Sequence, residues 1–161
     1  MVIREVKTIV KEYSSISELE NEDKMLVEKS KESVKNAYAP YSSFNVGAAV
    51  LLENGEIFTG NNQENAVYPS GLCAERVTLF YANAQYPDIP VKAIAVCAYL
   101  DSKFIKAPVP PCGSCRQVLS EAESRFNKPI KIILYGESKI YIIDSVSELL
   151  PITFDKSFLD K

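Results

Sequence analysis

Nine consecutive residues from Val91 to Tyr99 carry one charge, that of Lys92, among Val, Ala, Ile, Cys and Tyr. A strand with one wet face would alternate apolar and polar side chains, so a run this continuous reads as a strand buried on both faces. Burying both faces requires a covering layer on each side, which points to an α/β architecture rather than a sandwich or a helical bundle.

The remaining segments are consistent with that demand. Asn21 to Ala37 has Leu26, Val27, Val34 and Ala37 at helix spacing, with Asn21 as a candidate cap and Pro40 as a stop. Asn45 to Glu53 and Ile57 to Asn62 read as strands joined at Asn54-Gly55, a dipeptide that favours a two-residue hairpin turn. Cys73 to Gln85 reads as a helix with Val77, Phe80, Tyr81 and Ala84 on one face. A Pro-rich loop (Pro108, Pro110, Pro111) leads into a second helix over Gly113 to Arg125. Ile130 to Tyr135 and Ile140 to Ile143 form a further strand pair around Gly136, and Ser147 can cap a short last helix that ends at Pro151. The order ββαβαββ predicts one three-layer domain over residues 21–161, with helices on both faces of the sheet. Residues 1–20 form an N-terminal extension, in which Val2 to Tyr13 mixes β-branched and charged side chains without a clear period.

At 161 residues the chain has room for one domain with a real core. Its formal net charge of -3, without a stripe of Lys and Arg, argues against a nucleic-acid partner, whose phosphates demand clustered positive charge. No apolar run is long enough for a bilayer, and the start Met1-Val2-Ile3-Arg4-Glu5 lacks a signal-peptide core. The expectation is a cytoplasmic protein that does not engage membranes. Four cysteines in such a setting point to metal or redox chemistry more than to a disulfide framework.

The chain contains no His, so a metal site must draw on Cys, Asp or Glu. Two segments stand out: Cys73-Ala74-Glu75-Arg76 and Pro111-Cys112-Gly113-Ser114-Cys115-Arg116-Gln117. Each falls where a helix begins, and unpaired N–H groups with the positive end of the helix dipole favour thiolate over thiol there. Three thiolates can hold Zn²⁺ at about 2.3 Å and leave the fourth tetrahedral position open, which is the catalytic rather than the structural pattern. Glu75 follows Cys73 by two residues, an offset of about 200° on a regular helix. Cys73 is therefore expected at the edge of the first turn, with Glu75 over the metal. Zinc with three thiolates keeps a net negative charge, and Arg76 and Arg116 could offset it by donating to sulfur. Cys97, inside the apolar run, reads as a small core side chain. Taken together, C-x-E at one helix start and P-C-x-x-C at the next match the signature of zinc deaminases with three Cys ligands.

On these residues the chain resembles the cytidine deaminase family, in its short form acting on free nucleosides. The similarity extends to Ala37-Tyr38-Ala39-Pro40-Tyr41-Ser42-Ser43-Phe44 with Val46-Gly47-Ala48-Ala49, to Gly60-Asn61-Asn62-Gln63-Glu64-Asn65-Ala66, to Tyr68-Pro69-Ser70-Gly71-Leu72 before Cys73, and to Glu148-Leu149-Leu150-Pro151 with Phe154. Pro110 stands where the family often has Ser. The resemblance implies a three-layer α/β/α fold with a mixed five-stranded sheet and one zinc ion per subunit, held by Cys73, Cys112 and Cys115. It implies Glu75 as proton shuttle, Asn62 and Glu64 on the sugar, Phe44 on the pyrimidine and the Ala74 N–H on its carbonyl. It also implies a homotetramer in which Tyr68 and Phe154 reach a neighbouring site. The activity implied is hydrolysis of cytidine and 2′-deoxycytidine to uridine and 2′-deoxyuridine with release of ammonia, a step of pyrimidine salvage. Without the resemblance, Phe44 and Phe154 would read as core residues and Asn62 and Glu64 as loop polar groups. Rival readings are a deaminase of another aminopyrimidine, a nucleic-acid editing enzyme, a zinc-binding interaction domain and a dithiol redox protein.

Overall fold

In the computed structural model, which describes residues 1–159, seven strands form one mixed sheet in the order β1-β7-β6-β4-β2-β3, with β5 paired to the end of β4. They are β1 Lys11–Tyr13, β2 Asn45–Leu52, β3 Ile57–Asn61, β4 Val91–Leu100, β5 Lys103–Phe104, β6 Lys131–Tyr135 and β7 Ile140–Ile143. The helices are α1 Asn21–Ser33, α2 Ala74–Gln85 and α3 Gly113–Phe126. The apolar run becomes β4, hydrogen-bonded to antiparallel β2 on one side and to parallel β6 on the other. Its alternate residues feed two cores. Ala93 and Ala95 pack with Leu26 and Val27 of α1, while Ile94 and Val96 pack with Leu79 of α2 and Leu119 of α3. This is the expected three-layer arrangement.

The sheet has two strands more than the five expected. Neither β1 nor β5 has an apolar pattern of its own; each exists because a neighbouring edge supplies hydrogen bonds. Within the N-terminal extension, β1 pairs antiparallel with β7 and is held there by Lys11 to Asp144 at 2.6 Å and by Thr8 Oγ1 donating to the Glu148 carbonyl at 2.7 Å. β5 folds back on β4 through Asp101-Ser102, both with positive φ (51° and 61°), as a two-residue type I′ turn requires. Asn54-Gly55, where such a turn was expected, makes a longer one. Leu52 N donates to Glu56 O and Gly55 N to Leu52 O, which leaves three residues in the loop, with Gly55 at φ 87°. That is the bulged three-residue hairpin, for which glycine in the left-handed region is equally suited.

Helix boundaries shift in physically legible ways. Glu20, not Asn21, is the cap residue of α1, and the helix tightens into a 3₁₀ turn over Val34–Asn36 before Pro40. α1 sits very close to β2: a Cβ on Gly47 would collide with the Ser30 carbonyl oxygen and stand 2.6 Å from the Ser33 hydroxyl. α3 ends one residue later than expected, at Phe126, with Asn127 in the left-handed conformation. The last helix shrinks to a 3₁₀ turn over Val146–Glu148, and its cap is Ser145, whose hydroxyl accepts from Ser147 N. In α2 the expected apolar face is the wrong one. Ala74, Glu75, Thr78, Leu79 and Ala82 are buried, whereas Phe80 and Tyr81 are 46% and 54% exposed.

Candidate metal centre and adjoining cleft

α2 and α3 both begin with a cysteine in the cap position, in extended backbone, and both lie on the same face of the sheet. Cys115 is the third residue of α3, buried beneath the half-buried Cys73 and the exposed Cys112. The Sγ atoms of Cys73 and Cys112 are 3.8 Å apart, those of Cys112 and Cys115 3.5 Å, and all three lie within 4.8 Å of one another. Ligands at about 2.3 Å around a tetrahedral ion stand about 3.8 Å from each other, so both the donor chemistry and the spacing fit zinc. Cys97 belongs to the opposite face, with Ala93 and Ala95 under α1, and burial pushes its thiol up to about 11.

The thiols also respond to one another. A hydrogen bond from Cys115, supported by Arg76, draws Cys73 down to about 5, and Cys115 is pushed up in return. Arg76 Nη2 approaches Cys73 Sγ at 4.0 Å, and its Nε is buried without a hydrogen bond. Arg116, expected to donate to sulfur, instead donates from Nε to the Pro111 carbonyl at 2.9 Å and from Nη1 to the Leu149 carbonyl at 3.1 Å. It steadies the loop that delivers Cys112, because two nitrogens of one guanidinium tie the Pro111 and Leu149 carbonyls together.

Glu75, the second residue of α2, is 5% exposed, and burial, then the Cys73 charge, pushes its carboxyl above the ordinary range. A carboxyl shifted in this direction holds a proton more readily than an exposed one, which suits a group that must take and give one. Ala74, fully buried, opens the helix, where the backbone N–H groups have no intrahelical acceptor.

Beside the thiols lies a cleft of about 460 Å³ whose wall includes Ser42, Asn62, Glu64, Tyr68, Cys73 and Arg76. That volume suits a small ligand. Asn62 is nearly buried and bridges two strands: Oδ1 accepts from Val46 N at 2.8 Å, and Nδ2 donates to Phe44 O at 2.9 Å. Glu64 Oε2 accepts from the Tyr41 and Ser42 amides, and Oε1 accepts from Ser42 Oγ at 2.5 Å. The Ser42 hydroxyl, then these amides, hold the Glu64 carboxyl below its ordinary range. Neither Phe44, which is half-buried, nor the exposed Phe154 is in the cleft wall. Phe154, 59% exposed, stacks on Phe158, and its carbonyl accepts from Gln117. Tyr68, also exposed, meets Tyr41 edge-on at 6.0 Å. Tyr41 and Ser42 were given no role by sequence reasoning; their place inside the Ala37–Phe44 segment was the available signal.

Residues 20–128 match the family model described as the cytidine and deoxycytidylate deaminase zinc-binding region. A cytidine deaminase of Halalkalibacterium halodurans is 40% identical over 130 residues, which make up 81% of this chain and 92% of that protein. A cytidine deaminase of Sporosarcina psychrophila is 39% identical over 134 residues, or 83% of this chain and 92% of the relative. Among solved structures, the cytidine deaminase of Burkholderia pseudomallei superposes with a TM-score of 0.69 at 39% identity, covering 81% of this chain and 97% of that one.

Proposed function

We propose, since this chain belongs to the cytidine and deoxycytidylate deaminase family, that it is a zinc-dependent enzyme hydrolysing cytidine and 2′-deoxycytidine to the uracil nucleosides and ammonia. The observation that carries the reading is the triad of thiols at tetrahedral spacing, with buried Glu75 beside it and a nucleoside-sized cleft alongside. Cys73, Cys112 and Cys115 hold the metal. When bound, zinc supplies Lewis acidity that lowers the pKa of water in its open position toward neutrality.

The chain's own groups do the rest. Glu75 takes a proton from the attacking water and gives it to N3 of the base, which leaves C4 electron-poor. Once the water oxygen has joined C4, Glu75 takes its second proton and delivers it to the exocyclic amine, which leaves as ammonia. The carbonyl oxygen at C2 accepts from the Ala74 N–H; Phe44, which stands outside the cleft wall, is given the ring by family resemblance alone. Asn62 and Glu64 receive a sugar hydroxyl, the 3′ by our reading. Arg76 offsets the excess thiolate charge, and Arg116 holds Pro111 and so Cys112. Pro110 offers the reaction only its backbone carbonyl.

The decisive experiment is loss of cytidine ultraviolet absorbance on adding zinc-loaded protein. Conversion to uridine is expected; with zinc shown to be bound, no conversion would overturn the substrate and favour another aminopyrimidine.

We further assign a homotetramer. Support comes from the apolar outer face of α2, with Phe80 and Tyr81 exposed beside Val77, and from Tyr68 and Phe154, aromatic and solvent-facing in the single chain. Light scattering should give about four times the chain mass, and a fully active monomer would sink this assignment. Closely spaced free thiols need a reducing compartment, which supports a cytoplasmic location. No described helix is long and apolar enough to cross a membrane.

A further inference from the structure

We propose that Ser42 is a positioning residue that sets how Glu64 meets the substrate's sugar; the proposal rests on the nucleoside reading above. Ser42 lies in the turn between α1 and β2, and its hydroxyl works in two directions. It donates to Glu64 Oε1 at 2.5 Å and accepts from Phe44 N at 3.0 Å. Between the two residues, Ser43 takes a left-handed conformation, φ 57°, which turns the chain back on itself. One hydroxyl thereby couples the carboxylate on the cleft wall to the backbone of Phe44, the residue before β2.

A carboxylate has about four acceptor sites. On Glu64, Tyr41 N and Ser42 N take two at Oε2, and Ser42 Oγ takes one at Oε1, so one remains. Asn62 gives Val46 N one of the two acceptor sites on its oxygen and Phe44 O one amide hydrogen, which leaves one acceptor site and one amide hydrogen. The open acceptor site on Glu64 and the open amide hydrogen on Asn62, two residues of one cleft wall, suit a sugar hydroxyl, which both gives and accepts. Without the Ser42 hydroxyl, Oε1 has two open sites and the carboxylate one restraint fewer. Phe44 N also loses its acceptor. The loss at Oε1 should fall on substrates whose sugar hydroxyl reaches Glu64 and spare those without it, whereas a displacement of Phe44 would weigh on both alike.

The test compares cytidine with 3′-deoxycytidine on the zinc-loaded enzyme and on Ser42→Ala and Ser42→Thr. For Ser42→Ala, KM for cytidine should rise about tenfold, the worth of one charge-assisted hydrogen bond, with kcat changed far less. The 3′-deoxy substrate should be handled as by the wild type, and Ser42→Thr should restore KM. Equal losses on both substrates would overturn the Ser42 role while leaving the sugar reading intact, provided the wild type still favours cytidine. A wild type indifferent to the 3′-hydroxyl would overturn the sugar reading and this proposal with it. Should Ser42→Ala not fold, Ser42→Cys, similar in size but a weak donor, carries the same comparison.

Discussion

Glu75→Gln should keep its zinc and lose turnover by about a thousandfold or more, since general acid–base catalysis contributes roughly 10²–10⁴ and this one group serves several transfers. Gln has nearly the same shape, so the first turn of α2 and the placement of Cys73 and Arg76 should be preserved. Glu75 is 5% exposed beside the thiols, and burial raises its carboxyl pKa, poising it for transfer in both directions. An amide can neither take a proton from water nor deliver one to N3 or the amine. The substitution also removes a buried acid from beside Cys73, so zinc content should hold at one per chain. Metal analysis and the absorbance assay on the same preparation check both halves. A variant that keeps zinc and a tenth of wild-type kcat would end the assignment of Glu75 as the shuttle.

The layers were legible in the sequence because burial on both faces leaves a mark no other environment does, and Val91 to Tyr99 carries it. The thiol cluster was legible for a different reason: cysteine spacing at helix starts follows chemistry rather than packing. α2 misled because function inverts its pattern. Its inner face carries Glu75 and Thr78, with the Thr78 hydroxyl donating to the Ala74 carbonyl, while Phe80 and Tyr81 point outward. Hydropathy read on a single chain assigns apolar residues to that chain's own core, and it fails where a helix serves a site inside and, as proposed, another subunit outside. β1 and β5 were invisible because their pairing energy comes from the edges they meet. The choice of turn at Asn54-Gly55 rested on the same kind of balance, since glycine suits both hairpin types. Arg116 was misread for want of a nonlocal fact: the chain returns from β7 to bring the Leu149 carbonyl within 3.1 Å of it. Ser42 was overlooked because its importance lies in a partner 22 residues away, Glu64.

Cys115→Ala should abolish zinc binding and activity together while leaving the fold in place. Of the three thiols, Cys115 is the fully buried one and stands 3.5 Å from Cys112. Its loss leaves two thiols, and among the described residues no other metal-binding cluster exists to make good the third ligand. α3 itself should persist, because Leu119 and Ala122 anchor it in the core, and replacing a thiol by a methyl hydrogen adds no polar group. The stability consequence follows from linkage. A ligand bound only by the folded state stabilises it by about 4 kcal/mol at a thousandfold excess over its Kd, or roughly 10 °C in a domain of this size. A chelator should therefore lower the wild-type melting temperature by about that amount and leave Cys115→Ala unmoved, so that the two converge. Stoichiometric zinc in the variant, or a wild type whose melting ignores the chelator while its zinc departs, would contradict a centre built on these three sulfurs. Convergence of the two melting curves, together with coincident loss of metal and turnover, would tie the stability and chemistry of α2 and α3 to one ion between their first turns.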